Sequence, residues 1–153
     1  ETDSTGPWND TAPTASVFTV GAFGATNSNN EDFIAYCFHS VEGYSKVGSY
    51  TGNGDADGPF IYTGFRPTWV MTKKLGSGSN WNIFDTTRWG YNYMKLPLYA
   101  DITNAEDSGV AWGYDIVSNG IKQRNSNSAL NTSGTTYIYL AFAEAPMKFA
   151  NAR

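Results

Sequence analysis

"GSYTGNGDADGPFIYTGF", residues Gly48 to Phe65, fits two incompatible patterns, and the choice between them decides the fold. As a calcium loop, Asn53, Asp55 and Asp57 would supply alternating oxygen ligands, Gly58 the sharp turn, and helices would flank the loop. As a turn, the same residues would join two strands, with Asp57-Gly58 as a hairpin signal and the glycines of "GNG" free to take left-handed conformations. The twelfth place counted from Asn53, where a calcium loop needs a bidentate carboxylate, is Gly64. Pro59 follows Gly58 at once, which suits the first residue of a strand. The turn is therefore the better reading, with no metal expected. Asn53, Asp55 and Asp57 stay as the minority ligand set, because β-sandwich lectins hold calcium without flanking helices.

Outward from this loop the apolar residues recur at strand spacing. Expected strands begin at Ser16 (SVFTVGAF), Asp32 (DFIAYCFHS), Tyr44 (YSKVGSYT), Pro59 (PFIYTGF), Pro67 (PTWVMTKKL) and Asn80 (NWNIFDTT). Others begin at Met94 (MKLPLYA), Ala111 (AWGYDIVS), Gly120 (GIKQRN) and Thr135 (TTYIYLAFAEA). Clusters of Gly, Asn, Ser and Asp separate them. This pattern predicts an all-β chain folded as a two-sheet antiparallel β-sandwich. "FIAYCFH" and "TYIYLAFA" are apolar almost throughout, so both are expected in mid-sheet. Alternation along the second would send Ile138, Leu140 and Phe142 one way and Tyr137, Tyr139, Ala141 and Ala143 the other. The expected core comprises Cys37, Phe38, Ile138, Leu140 and Phe142. Residues 1–31 are expected to form an N-terminal strand and a Ser/Thr/Asn-rich lead-in, and 32–153 the sandwich proper.

Composition narrows the function classes. The 153 residues suffice for one domain with a sizeable core, and Gly, Ser, Thr and Asn make up more than a third of them. Aromatics reach 16%, but only 16% of residues are charged and the net charge is −4, which offers nothing to a phosphate backbone. Nucleic acid is not an expected partner. No apolar run approaches a membrane span, so no membrane insertion is expected, and "ETDSTGPWND" lacks the basic and apolar regions of a signal peptide. The chain reads as starting partway into a longer protein. Cys37 is the only cysteine, which excludes an intramolecular disulfide.

Catalytic constellations are hard to assemble. His39 is the only histidine, closes an apolar run, and has no Gly-x-Ser-x-Gly elbow to serve. Glycoside hydrolysis needs two facing carboxylates, and spacing alone does not pair Glu42, Asp85, Glu106, Asp115 or Glu144. No phosphate-cradling loop, Cys/His cluster or dinucleotide fingerprint is present, so no enzyme activity and no cofactor are expected.

"FIAYCFHSVEGYSKVGSYTGNGDADGPFIYTGFRPTWVMTKK", "WNIFDTTR", "DIVSNGIKQR" and "TYIYLAFAEAPMKFANAR", in that order, resemble a domain of unknown function common in tail-fibre and related virion proteins of marine bacteriophages. The resemblance runs from Phe33 to Arg153, roughly four-fifths of the chain. It implies a concanavalin-like jelly-roll sandwich near the distal or C-terminal end of a fibrous protein, with "NAR" as its natural end. It implies no catalytic or metal-binding residues. The expected location is the virion, on a tail fibre or another extracellular appendage.

Two function classes follow. One is recognition of a host cell-surface glycan or protein, through aromatic rings that stack on sugars and polar side chains that satisfy hydroxyls. Its expected site is the "RWGYNY" stretch, Arg88, Trp89, Tyr91, Asn92 and Tyr93, bordered by Trp81 and Asp85, because a plain turn would favour small polar residues over three large aromatics. The other is a structural cap or decoration of a fibre, with aromatic surface buried between copies, in a homo-oligomer that would be a trimer if fibre-borne.

Overall fold

A computed structural model of the chain describes residues 5–76, 78–106 and 112–144. The chain divides into two compact units, residues 1–37 and 38–153. The first holds two single-turn helices, α1 (Thr5–Trp8) and α2 (Gly24–Asn27). The strand expected from Ser16 does not form. Thr14 Oγ1 accepts from the backbone amides of Ser16 (3.3 Å) and Val17 (3.0 Å), and this local hydroxyl turn replaces a ladder. Val17, Phe18 and Phe23 stay exposed.

The second unit is a two-sheet antiparallel β-sandwich. Its strands are β1 (Ser45–Thr51), β2 (Phe60–Tyr62), β3 (Pro67–Lys74) and β4 (Asn82–Asp85), then β5 (Leu98–Tyr99), β6 (Tyr114–Val117), β7 (Gly120–Gln123) and β8 (Thr136–Ala143). One sheet runs β1-β8-β3-β4-β5 and the other β2-β7-β6. β8 lies inside the larger sheet, paired with β1 and β3, as its continuous apolar pattern predicts. The expected residues of this strand beyond Glu144, Ala111 ahead of β6, and the terminal "NAR" lie outside the described residues.

The inner faces alternate with the pleat. Val70 and Thr72 of β3, Asn82 and Phe84 of β4, and Tyr114 and Ile116 of β6 are all buried. Each fully buried apolar side chain of this size contributes about 1.5–3 kcal/mol. The sheets are also tied by polar bonds: Thr72 Oγ1 lies 2.7 Å from Tyr114 Oη, and Gln123 Nε2 donates to Tyr50 Oη at 2.9 Å. Burial pushes the Tyr50 and Tyr114 hydroxyls well above the usual tyrosine range, so both remain neutral donors and acceptors.

Two expectations about the core are corrected. On β8 the inward face is Tyr137, Tyr139 and Ala141, while Ile138 and Phe142 are only half-buried; of the expected core residues, Leu140 alone is buried. Tyr137 goes inside because its hydroxyl finds partners there: Oη donates to the Ser128 carbonyl (2.9 Å) and accepts from the Thr132 amide (2.8 Å). Phe142 packs on the opposite face against Phe38, Tyr44 and Trp69. The "DFIAYCFHS" stretch forms no strand, and both Cys37 and Phe38 are exposed. Pairing stops after the single Val41–Ser45 bridge, because Ser40 Oγ takes the edge of β1, accepting from the Val47 amide (3.0 Å) and donating to its carbonyl (3.3 Å).

Candidate functional site

The aromatic stretch leaves the end of β4 and crosses to the smaller sheet. Met94 pairs with Tyr114, its amide donating to the Tyr114 carbonyl (2.6 Å) and its carbonyl accepting from the Tyr114 amide (3.1 Å). Two residues earlier the Asn92 side chain imitates a strand: Oδ1 accepts from the Ile116 amide (3.0 Å) and Nδ2 donates to the Ile116 carbonyl (2.9 Å). The loop thus covers the edge of β6. Close approach requires the glycine at 113, since a Cβ there would sit 1.6 Å from the Met94 carbonyl oxygen.

The start of the loop is equally fixed. Asp85 Oδ1 accepts from the amides of Thr87 (3.1 Å) and Arg88 (2.8 Å), and the Arg88 guanidinium pairs with Asp85 and Glu106 and donates to the Leu96 carbonyl (3.0 Å). Burial pushes the Asp85 carboxyl up, but the Arg88 amide and guanidinium and the Thr87 amide together hold it below the usual aspartate range. Trp89, expected at the surface, is half-buried against the core. The Lys95 ammonium lies 5.2 Å from the centroid of its ring and 5.9 Å from that of Tyr93. Tyr91 is the member that projects, 80% exposed. Trp81 does not join the group: it precedes β4, at the opposite end of that strand from Asp85, and its amide donates to Asp101 Oδ1 (3.0 Å).

The "GNGDADG" loop joins β1 to β2 across the two sheets, so it is a crossover and not a hairpin. Asn53 Oδ1 accepts from the Asp55 amide (3.0 Å) and Asp55 Oδ1 from the Asp57 amide (2.8 Å). The buried Asn131 threads the loop, accepting from the Asn53 amide (2.8 Å) and donating to the carbonyls of Asp55 and Asn125 (each 2.8 Å). Gly54 takes the left-handed conformation (φ 73°), but Gly52 does not; it is needed because a Cβ would meet the Thr132 carbonyl oxygen at 2.3 Å. Asp57 pairs with Lys122 at 2.8 Å, and the Lys122 ammonium beside it holds its carboxyl below the usual range. Among the described residues no three His, Cys, Asp or Glu side chains are grouped to hold a metal ion.

His39 is exposed, with Nδ1 donating to the Ser40 carbonyl (3.1 Å). Asp115 pairs with Arg124 at 2.9 Å and Glu144 with Arg66. Sequence reasoning missed one feature. At the other end of β4, an open cleft of about 170 Å³ is lined by Lys74, Asn80, Asn82, Tyr99, Trp112 and Ser128, with Gly78, Ser79 and Ala129. These residues come from separate strands and loops, and no spacing along the chain signals their convergence.

Residues 1–146 match the model of a family described as Domain of unknown function (DUF7483), and the chain belongs to that family. The match includes the residues before Phe33, where the resemblance noted from sequence begins. No curated protein and no solved structure matches the chain. Among the described residues no helix is long and apolar enough to cross a membrane.

Proposed function

We propose that this chain is a non-catalytic recognition module. It binds a host-surface glycan from a bacteriophage tail fibre or related virion appendage. The virion setting rests on the sequence blocks that resemble tail-fibre domains. The observation that carries recognition is the presentation of Tyr91, a ring 80% exposed on a loop whose Arg88, Asn92 and Met94 are all bonded in place. A pre-ordered aromatic ring binds with little conformational entropy left to lose. A non-catalytic role is supported by the state of the carboxylates. Asp85 and Glu106 share Arg88, Asp115 pairs with Arg124 and Glu144 with Arg66, so each of these carboxylates is already engaged by an arginine instead of facing a second carboxylate across a sugar.

The test is retention of the labelled chain on host cells with and without their surface polysaccharide. Wild type is retained only on intact cells, and Tyr91→Ala loses retention at an unchanged melting temperature. Equal retention of wild type and Tyr91→Ala overturns the reading. Tyr91 serves better than Trp89 here, because Trp89 also packs against the core.

A second reading, a structural cap assembled from copies of the chain, is favoured by a different observation. Ile34 and Tyr36 are each 79% exposed, and Phe33 also lies open. Apolar surface of this kind marks assembly sites. A trimer in light scattering that dissociates on Ile34→Lys/Tyr36→Lys, with no cell binding in any form, would select this reading.

A further inference from the structure

We propose that the cleft beside the start of β4 is a subsite for a single carboxylated sugar ring, with Lys74 as the residue that selects the acid. It shares with the proposed function the expectation of a carbohydrate ligand, but it uses other residues. Asn82 opens β4 at the cleft and Asp85 closes the strand at the aromatic loop.

The lining dictates the ligand class. Tyr99 and Trp112 bring aromatic surface, on which the C–H face of a sugar packs. Asn80, Asn82 and Ser128 bring amide and hydroxyl groups suited to ring hydroxyls. Asn82 is almost fully buried, and its Nδ2 donates to the Asn80 carbonyl (3.1 Å), which fixes the amide in place. Trp112 is held edge-on to Phe84, with ring centroids 5.9 Å apart. The volume of about 170 Å³ lies below that of sites for drug-sized ligands, so it admits one ring and not an oligosaccharide.

Charge sets the rest. Among the described residues none that lines the cleft is acidic, and Lys74 is the one cation of the lining. Arg66, Arg88, Lys122 and Arg124 each hold a carboxylate, whereas no carboxylate of the described residues lies within ion-pair distance of Lys74. Among the described residues its ammonium makes one long contact, 3.4 Å to Thr132 Oγ1, which leaves donors for an incoming anion. A lysine at the wall of a polar, aromatic cleft matches a hexuronate: the carboxylate meets the ammonium while the ring meets Tyr99 and Trp112.

The experiment is an NMR titration of the whole chain, following the Trp112 indole N–H and the Asn80 and Asn82 side-chain amides. The probes are glucuronate, glucose and acetate. Glucuronate should give saturable shifts at all three residues, with glucose about tenfold weaker, the value of one charge-assisted bond, and acetate unable to move Trp112. Lys74→Gln should abolish the difference between glucuronate and glucose, Lys74→Arg should retain it, and Tyr91→Ala should leave the titration unchanged. Absence of saturable shifts with glucuronate overturns the proposal, as does a preference for glucuronate that survives in a folded Lys74→Gln variant. Loss of cell retention in Tyr91→Ala with no glucuronate binding would sink the cleft alone. Glucuronate binding with cell retention unaffected by Tyr91→Ala would sink the loop alone.

Discussion

Two loops of this sandwich are each pinned by one asparagine, yet only one of them holds out an aromatic ring. In the 52–58 crossover the pin comes from outside the loop. Asn131 is buried, and Asn53, Asp55 and Asp57 each turn one side-chain oxygen to a loop amide or to Lys122. In the 88–94 loop the pin, Asn92, belongs to the loop itself and fastens it to the edge of β6, so the apex beside it, Tyr91, is free to face outward. The first loop is a brace that closes on itself. The second is a brace that also presents a ring, and this difference separates scaffold from candidate contact.

The comparison is broken most severely at Asn131. Asn131→Ala leaves the Asn125 carbonyl without its partner in a buried site, and the Asn53 amide and Asp55 carbonyl without theirs in a part-buried one. It should cost about 4 kcal/mol, from roughly 1–3 kcal/mol for the buried carbonyl left unsatisfied and about 1 kcal/mol for each of the other two bonds. Urea unfolding measures it, and a loss below about 1 kcal/mol would mean that the brace is dispensable. Gly113→Ala comes next, because the added Cβ can be accommodated only by pushing the Met94 carbonyl off Tyr114. The expected cost is about 3 kcal/mol, and amide exchange at Tyr114 should accelerate.

Asn92→Ala tests the other pin. Water can replace its bonds to Ile116 at an exposed residue, so the expected loss is about 1 kcal/mol, with faster exchange at the Ile116 amide and weaker cell retention through a loosened Tyr91. A loss as large as that of Asn131→Ala would erase the distinction between the two loops.

The smallest effect is electrostatic. The Asp57 carboxyl is held below its ordinary value of 3.8 in the folded chain. Its pairing with Lys122 therefore stabilises the fold above that value and is lost as the pH falls through the lowered folded value. Asp57 is 79% exposed at its side chain, and solvent screens the pair. A slightly steeper fall in melting temperature below pH 4 should appear in wild type and be absent in Asp57→Asn.

The β class and most strand positions were legible because alternation and turn chemistry are local properties. All eight strands, β1 to β8, fall inside stretches expected from spacing. The failures share one cause. "DFIAYCFHS" has strand composition, but a strand needs a partner edge, and the Ser40 hydroxyl occupies β1 at Val47. On β8, periodicity says that alternate residues share a face without saying which face is inside. Hydrophobicity favoured Ile138 and Phe142, whereas the Ser128 carbonyl made room for the Tyr137 hydroxyl.

The candidate sites divide in the same way. Three aromatics in "RWGYNY" marked an unusual loop, but the sequence carried no sign that Asn92 would act as a strand, that Lys95 would lie over Trp89, or that Trp81 would stand apart. The sequence by itself determined the sandwich class, the absence of any disulfide within the chain, and the places where it turns, since each depends on residues close together. Only the tertiary structure decided which face of β8 is core, which loop is brace and which presents a ring, and that Lys74, Tyr99 and Trp112 share a cleft. Those outcomes depend on where donors and acceptors from distant segments meet, and a one-dimensional pattern carries no measure of that distance.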